Sequence, residues 1–418
     1  MIITKQNPNG ISTVRISGAV VQDFGDIEAA HSKIQLLECL REKKYNFRLG
    51  SDDKAIRLVG DNGVQNHIRR SDAYVFFGKP SVGELFKIVS LFVGLQTLDP
   101  DLHYQPEKYA GTHTKLRRPI IIYGDPQHYM PVFNFIMCMH KKLGTVRQDP
   151  YSLIRFADTQ ERFSKELSRE IEAENSIHGH GATQEEIARK VIFYTDNTYF
   201  PHHFDKEPRF KTVLYTSASR ESEDASKIAI ALHNLGVGVV SGAGSSGSMG
   251  MVARGSHSVG GWSYGTNCPH IAAQEGIPEG MIVKMQPDIY TRMADMKNQA
   301  NAIICGAGGF GGAGTLQELL AACLLLIERS HLMTNGRNGS AKSKPIILDN
   351  SQGMWEGIDK VLEPFGLVEG RNYNVAATCD KVIELVEKAK EGTLTSQRAG
   401  HGAGHRVAVH GAGQYLGR

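Results

Sequence analysis

Residues 302–318 read Ala-Ile-Ile-Cys-Gly-Ala-Gly-Gly-Phe-Gly-Gly-Ala-Gly-Thr-Leu-Gln-Glu, and an apolar helical run continues to Ile327. A short apolar run fits a strand buried on both faces, the glycines fit a tight loop, and the Gly-Thr step opens a helix. Strand, loop and helix in this order form the unit of a parallel α/β sheet, which binds ligands at its carboxyl edge. The start of the helix offers unpaired N–H groups and the positive end of the dipole, which suit a phosphate. Glu318 has no part in holding an anion, so it points to chemistry beside the phosphate. A second glycine loop, 242–250, follows another apolar strand. Gly242-Ala-Gly244-Ser-Ser-Gly247 satisfies G-x-G-x-x-G, as does Gly306-Ala-Gly308-Gly-Phe-Gly311. That pattern is cheap in glycine-rich sequence. The 242–250 loop follows the second strand of its half, and no acidic residue stands about 20 positions on to hold a ribose diol, so a dinucleotide-dependent enzyme is disfavoured.

The glycine loops belong to the second of two related halves. Asp72-Ala-Tyr-Val-Phe-Phe-Gly…Gly-Glu84-Leu parallels Asn301-Ala-Ile-Ile-Cys-Gly…Gln-Glu318-Leu. Pro119-Ile-Ile-Ile-Tyr-Gly parallels Pro345-Ile-Ile-Leu-Asp-Asn, and Gly144-Thr-Val-Arg-Gln-Asp-Pro-Tyr151 parallels Gly366-Leu-Val-Glu-Gly-Arg-Asn-Tyr373. Each half opens on a short strand, Thr13–Ser17 and Thr212–Thr216. Alternating short strands and amphipathic helices make each half an open, mostly parallel sheet. In the second half the pattern predicts strands at 212–216, 237–241, 280–284, 302–305 and 345–348, with an edge segment in 368–376. Helices are expected over 222–235, from 248, and over 288–300, 315–328 and 379–391. We therefore expect a first domain over 1–170 and a linker over 171–210, with a helix started by Thr183-Gln-Glu-Glu186. A second domain follows over 211–395, then a flexible Gly/His-rich tail over 396–418. The chain's 418 residues allow two domains of ordinary size.

The remaining composition mostly excludes. A net charge of +3 gives no case for nucleic acid or an anionic membrane. The longest apolar stretches, such as 88–95, fall far short of the ~20 residues of a membrane helix. Met1-Ile-Ile-Thr-Lys has no signal-peptide pattern. The six cysteines form no C-x-x-C pair, which suits a reducing cytosol rather than a disulfide frame or zinc site. We expect a cytoplasmic protein. His178, His180, His202 and His203 lack acidic or cysteine partners at metal spacing. No G-x-x-x-x-G-K-[ST] loop supports ATP hydrolysis. No lysine is singled out for pyridoxal phosphate. Glu84 reads as a carboxylate stabilised by a helix N-terminus.

Ser241-Gly-Ala-Gly-Ser-Ser-Gly-Ser-Met-Gly250, with Val252-Ala253 behind it, resembles the "GGGxxGxMGxVA" segment of the LONELY GUY (LOG) family. Gly311-Gly-Ala-Gly-Thr315-Leu-Gln-Glu318 resembles its "PGGxGTxxE" signature. Pro287-Asp-Ile-Tyr-Thr-Arg292 looks like the segment that carries the family arginine, nine residues before Asn301. Thr216-Ser-Ala-Ser219 resembles the serine-rich turn after the first strand. The resemblance covers 210–395 and is closest to nucleotide 5′-monophosphate nucleosidases. Phe310 stands where the signature has proline, the loop is longer, and Met293 replaces a lysine that often follows the arginine. The first half has no Gly-Gly-x-Gly-Thr, no equivalent arginine (the position is Gly63) and no glycine loop after Asn46-Phe-Arg-Leu. It resembles a degenerate copy.

The resemblance implies two Rossmann-like, LOG-type α/β domains from a diverged duplication, the second cleaving the N-glycosidic bond of a nucleoside 5′-monophosphate. It implies Glu318 and Arg292 as catalytic. Gly311, Gly312, Gly314 and Thr315 would hold the 5′-phosphate. Gly242, Gly244, Gly247, Met249, Gly250, Ser217 and Ser219 would line the rest of the nucleotide site. Glycosidic cleavage builds positive charge on the sugar, which a carboxylate can stabilise while it orients a water. Arg292 is expected to pair with Glu318. No cofactor or metal is implied, and LOG-type proteins assemble at least as dimers, so a homo-oligomer is expected. The rival reading is a non-catalytic nucleotide-binding or sensing module.

Overall fold

The structure, a computed structural model, describes residues 2–7, 10–18, 46–48, 73–77, 79–97, 120–146, 149–168, 206–286, 289–334, 344–394 and 396. The first half holds β1 (Ile2–Asn7), β2 (Gly10–Gly18), β3 (Asn46–Arg48), β4 (Ala73–Phe77), β5 (Ile120–Tyr123) and β6 (Ile154–Ala157). Its helices are α1 (Val82–Thr97), α2 (Met130–Cys138), α3 (Pro150–Leu153) and α4 (Gln160–Ser168). The sheet order is β3-β1-β2-β4-β5-β6. From β2 to β6 the strands are parallel, but β1 pairs antiparallel with both β2 and β3. The half therefore opens on a hairpin rather than on the single strand expected at Thr13–Ser17. Asn46–Arg48 is an antiparallel edge strand.

The second half holds β7 (Lys211–Tyr215), β8 (Gly238–Ser241), β9 (Ser263–Asn267), β10 (Ile282–Met285), β11 (Ala302–Cys305), β12 (Ile346–Asp349) and β13 (Asn374–Ala376). Its helices are α5 (Glu223–Asn234), α6 (Gly247–Ser258), α7 (Pro269–Glu275), α8 (Ile289–Gln299), α9 (Ala313–Thr334), α10 (Ile358–Leu362) and α11 (Cys379–Lys390). The order β10-β9-β8-β7-β11-β12-β13 is parallel throughout. The chain winds outward from β7 on one side, then returns to β11 on the other. The order reverses between β7 and β11, where open sheets of this kind form their ligand crevice.

The duplication is visible as β2-β4-β5-β6 matching β7-β11-β12-β13. Strand β9 and helix α7 were not foreseen. Ser263-Tyr-Gly-Thr-Asn lacks an apolar run, yet all five residues are buried, because β8 and β10 enclose the strand. Helix α9 is longer than the expected 315–328. Ser396 is buried and its hydroxyl accepts from Ile346 N, so packed structure reaches that residue. The expected linker helix and the tail beyond 396 lie outside the described residues.

Side chains alternate across the second sheet as a period of two demands. Leu214, Val239, Ile304 and Ile347 meet α5 and α11 in one core. Val213, Val240, Ile303, Ile346 and Leu348 face the other way, into a core that also takes Phe76, Ile120, Ile122 and Ile154 of the first half. The halves thus share a core. Within it α9 packs along α1, Gln317 Nε2 donates to Ser90 Oγ at 3.0 Å, and the Phe135 ring stacks on Trp355 at 5.9 Å.

Candidate active site

The turn after β7 stitches the two glycine loops together. Ser217 N donates to Phe310 O (3.2 Å), and Met249 N donates to Ser217 O (3.3 Å). Ser248 donates to Arg220 O through both N and Oγ, each at 2.7 Å. The Ser217 and Ser219 hydroxyls lie 2.8 Å apart. Three segments, 217–220, 247–250 and 310–315, drawn from a stretch of about a hundred residues, therefore meet where the strand order reverses. Gly247 is what lets them approach. Its φ is +58°, and a Cβ there would lie 2.5 Å from both Ala218 C and Ser217 O, which are main-chain atoms with nowhere to go. Gly247→Ala is expected to cost about 2–4 kcal/mol, from the positive φ and the clash together. The urea midpoint, read at unchanged m-value, checks it.

The 306–315 glycine loop divides in two. Asp349, fully buried at the end of β12, accepts from Gly308 N (2.8 Å) and Gly309 N (3.1 Å) through Oδ2, and from Ser351 N (3.0 Å) through Oδ1. Burial pushes its pKa up, against these hydrogen bonds. The Gly308 and Gly309 amides are spent on the protein's own carboxylate and cannot serve an anion. The stretch 311–315 remains. Gly312 N donates to the Thr315 hydroxyl (3.3 Å), which fixes the loop and leaves that hydroxyl its own proton to donate. Gly312 and Gly314 stay partly exposed, and a Cβ on Gly314 would meet nothing within 4 Å. The first amides of α9 are donors that no carbonyl within the helix can take. Asp349→Ala would strand several buried donors and is expected to lose about 3 kcal/mol, with Asp349→Asn recovering part. Chemical denaturation of the three proteins measures it.

Arg292 on α8 is buried. Its Nε donates to Thr266 O (2.9 Å) and its Nη2 to Gly242 O (2.8 Å). It thus ties the carboxyl end of β9 to the 242–250 glycine loop. The hydrogen-bonded pair expected with Glu318 is absent among the described residues. The guanidinium reaches Gly242 because that position has no Cβ, which would lie 2.0 Å from Nη2.

Glu318 sits on α9 near Tyr215 and Cys305, the last residues of β7 and β11, and its charge helps to push both of their pKa values up. Its own carboxyl is pushed up to about 8, chiefly by burial; the Arg292 charge opposes that and Glu275 adds to it. Some of the residue stays open to solvent. Sequence reasoning missed Glu275, whose Oε2 would lie 2.5 Å from a Cβ on Gly244. It also missed Asp349 and Arg220. None of the three belongs to a local pattern.

Glu84 is consumed locally. Its Oε2 accepts from Ser81 N (2.7 Å), and its own N donates to Ser81 Oγ (3.2 Å), a reciprocal capping box at the start of α1. The counterpart of Glu318 in the first half therefore caps a helix.

Residues 249–391 match the model of the family described as "Possible lysine decarboxylase". The matched segment takes in Met249, Gly250, Arg292 and 311–318; Ser217, Ser219, Gly242, Gly244 and Gly247 precede it. No curated protein matches the chain. Among solved structures, the molybdenum cofactor carrier protein of Chlamydomonas reinhardtii is 16% identical, with a TM-score of 0.32 over 44% of this chain and 99% of that one. The molybdenum cofactor binding protein of the phototrophic bacterium Rippkaea orientalis is 15% identical, with a TM-score of 0.32 over 44% and 98%. The structural-genomics target TM1055 is 21% identical, with a TM-score of 0.33 over 43% and 99%. No described helix is long and apolar enough to cross a membrane.

Proposed function

We propose that the second half hydrolyses the N-glycosidic bond of a nucleoside 5′-monophosphate, AMP-like, to free base and ribose 5-phosphate. The observation that carries this reading is the division of the 306–315 loop. Asp349 occupies its first amides, while the first amides of α9 stay open with Glu318 beside them. A phosphate held at 311–315 fixes one end of the substrate, and binding energy gathered there positions the ribose near Glu318. As the base departs, positive charge grows on the sugar ring. A Glu318 carboxylate stabilises it and takes a proton from the attacking water, whose oxygen bonds to C1′ while the base leaves with the bond electrons; the base takes up a proton from solvent, and Glu318 returns its own to solvent. No step calls for a metal or redox cofactor.

The test is chromatographic. Purified protein is incubated with AMP, GMP, IMP, CMP and UMP, alongside Glu318→Ala. Free base from one nucleotide, absent with the variant, supports the reading and names the base. Nucleotide bound by both proteins without release of base would leave a binding or sensing module instead.

A further inference from the structure

The halves meet through corresponding elements: α1 lies on α9, and α2 on α10. Each pair occupies matching positions in the duplication, so the contact has the isologous form of a two-fold dimer within one chain. At one end of this contact the segment after α2 reaches the second half's loops. Arg220 Nη1 donates to Leu143 O (2.7 Å), and Ser219 Oγ donates to Thr145 O (3.4 Å). Thr145 O would also lie 3.1 Å from a Cβ on Gly312. The Arg220 guanidinium stands 4.3 Å over the ring of Phe310, the residue before Gly311. Arg220 is exposed, and among the described residues Leu143 O is its side chain's only hydrogen-bond partner. A guanidinium offers further N–H groups in a planar fork suited to phosphate. Phe310 below and the Leu143 carbonyl beside it fix the direction in which that fork points.

We infer that Arg220 is the phosphate-binding cation of the nucleotide site and that the first half's Leu143–Thr145 segment holds it in place. The first half then acts as a built-in partner, orienting Arg220 and Ser219 at the mouth of 311–315. The inference rests on the phosphate reading of that loop and deepens it.

Calorimetric titration with ribose 5-phosphate tests it without requiring turnover. Wild type is expected to bind, Arg220→Ala to bind roughly tenfold or more weakly, as loss of a charge-assisted contact implies, and Arg220→Lys to fall between. Thermal melting should fall only slightly, since the side chain is exposed and gives up one hydrogen bond and one ring contact. In hydrogen exchange, ribose 5-phosphate should slow amides in 139–146 together with those in 311–318, and Arg220→Ala should lose the first effect. Equal binding by wild type and Arg220→Ala, or protection confined to 311–318, overturns the assignment and leaves the nucleosidase reading intact. Binding that depends on Arg220 in a protein that cleaves no nucleotide supports the assignment and sinks the nucleosidase reading. A wild type that does not bind ribose 5-phosphate overturns both.

Discussion

Glu318→Gln is expected to lower turnover roughly 10³-fold while making the protein more stable above neutral pH. The two effects have one cause. Burial pushes the Glu318 carboxyl from 4.5 up to about 8, so the folded state holds its proton more tightly than the unfolded chain does. Stability from this group is therefore greatest below about pH 4.5, declines as pH rises to about 8, and is level above that. A shift of that size corresponds to about 2–5 kcal/mol given up at pH 8 and above. Glutamine cannot ionise, so the variant escapes that loss. Catalysis runs the other way: if the carboxylate is the working form, kcat/KM of the wild type rises with pH and levels off above about 8. Melting temperatures and pH–rate profiles of both proteins between pH 5 and pH 9, a span of roughly 4 units around the shift, test the pair. A variant no more stable than wild type at pH 9 would mean that the carboxyl is not shifted. A profile falling through pH 8 would make Glu318 a proton donor instead.

The parts of this site legible in the sequence are those written in consecutive residues. Ala302–Cys305 and Ile346–Asp349 are apolar runs between turn residues, and both fold as buried strands. The glycine loops and Glu318 follow at fixed offsets. What stayed hidden depends on register between distant strands. Cys305 pairs with Leu348, which brings Asp349 beside the loop that leaves β11. Nothing near Asp349 in sequence says that its partners will be Gly308 and Gly309. Strand β9 was invisible for another reason: with strands on both sides, Ser263, Thr266 and Asn267 are buried despite their polarity, so the usual apolar signal is missing. Glu84 shows a signal available and not used, since Ser-x-x-Glu at the head of a helix is a capping box. The first half's approach to Arg220 had no local trace at all.

Arg292 separates charge from geometry, and substituting it should reveal which matters. Its guanidinium donates to Thr266 O and Gly242 O, so it braces the 242–250 glycine loop, and its charge reaches Glu318 only through space. Removing it does two things. Two buried carbonyls lose a charged donor, for about 2–4 kcal/mol, and the Glu318 carboxyl loses the one nearby charge that favours its ionised form. Arg292→Met is thus expected to destabilise the protein and to move the rise in kcat/KM to higher pH. Arg292→Lys keeps a charge near the same place but lacks the planar fork that serves both carbonyls at once. It should leave the pH profile near that of wild type and still raise KM, because Gly242 and the 242–250 loop behind it are no longer held. A brace without electrostatic influence would give Met and Lys variants with the same pH profile. A residue acting only by its charge would give a Lys variant with an unchanged KM. The hydrogen bonds to Thr266 and Gly242 and the through-space effect on Glu318 argue that both roles act together, and the two variants divide them.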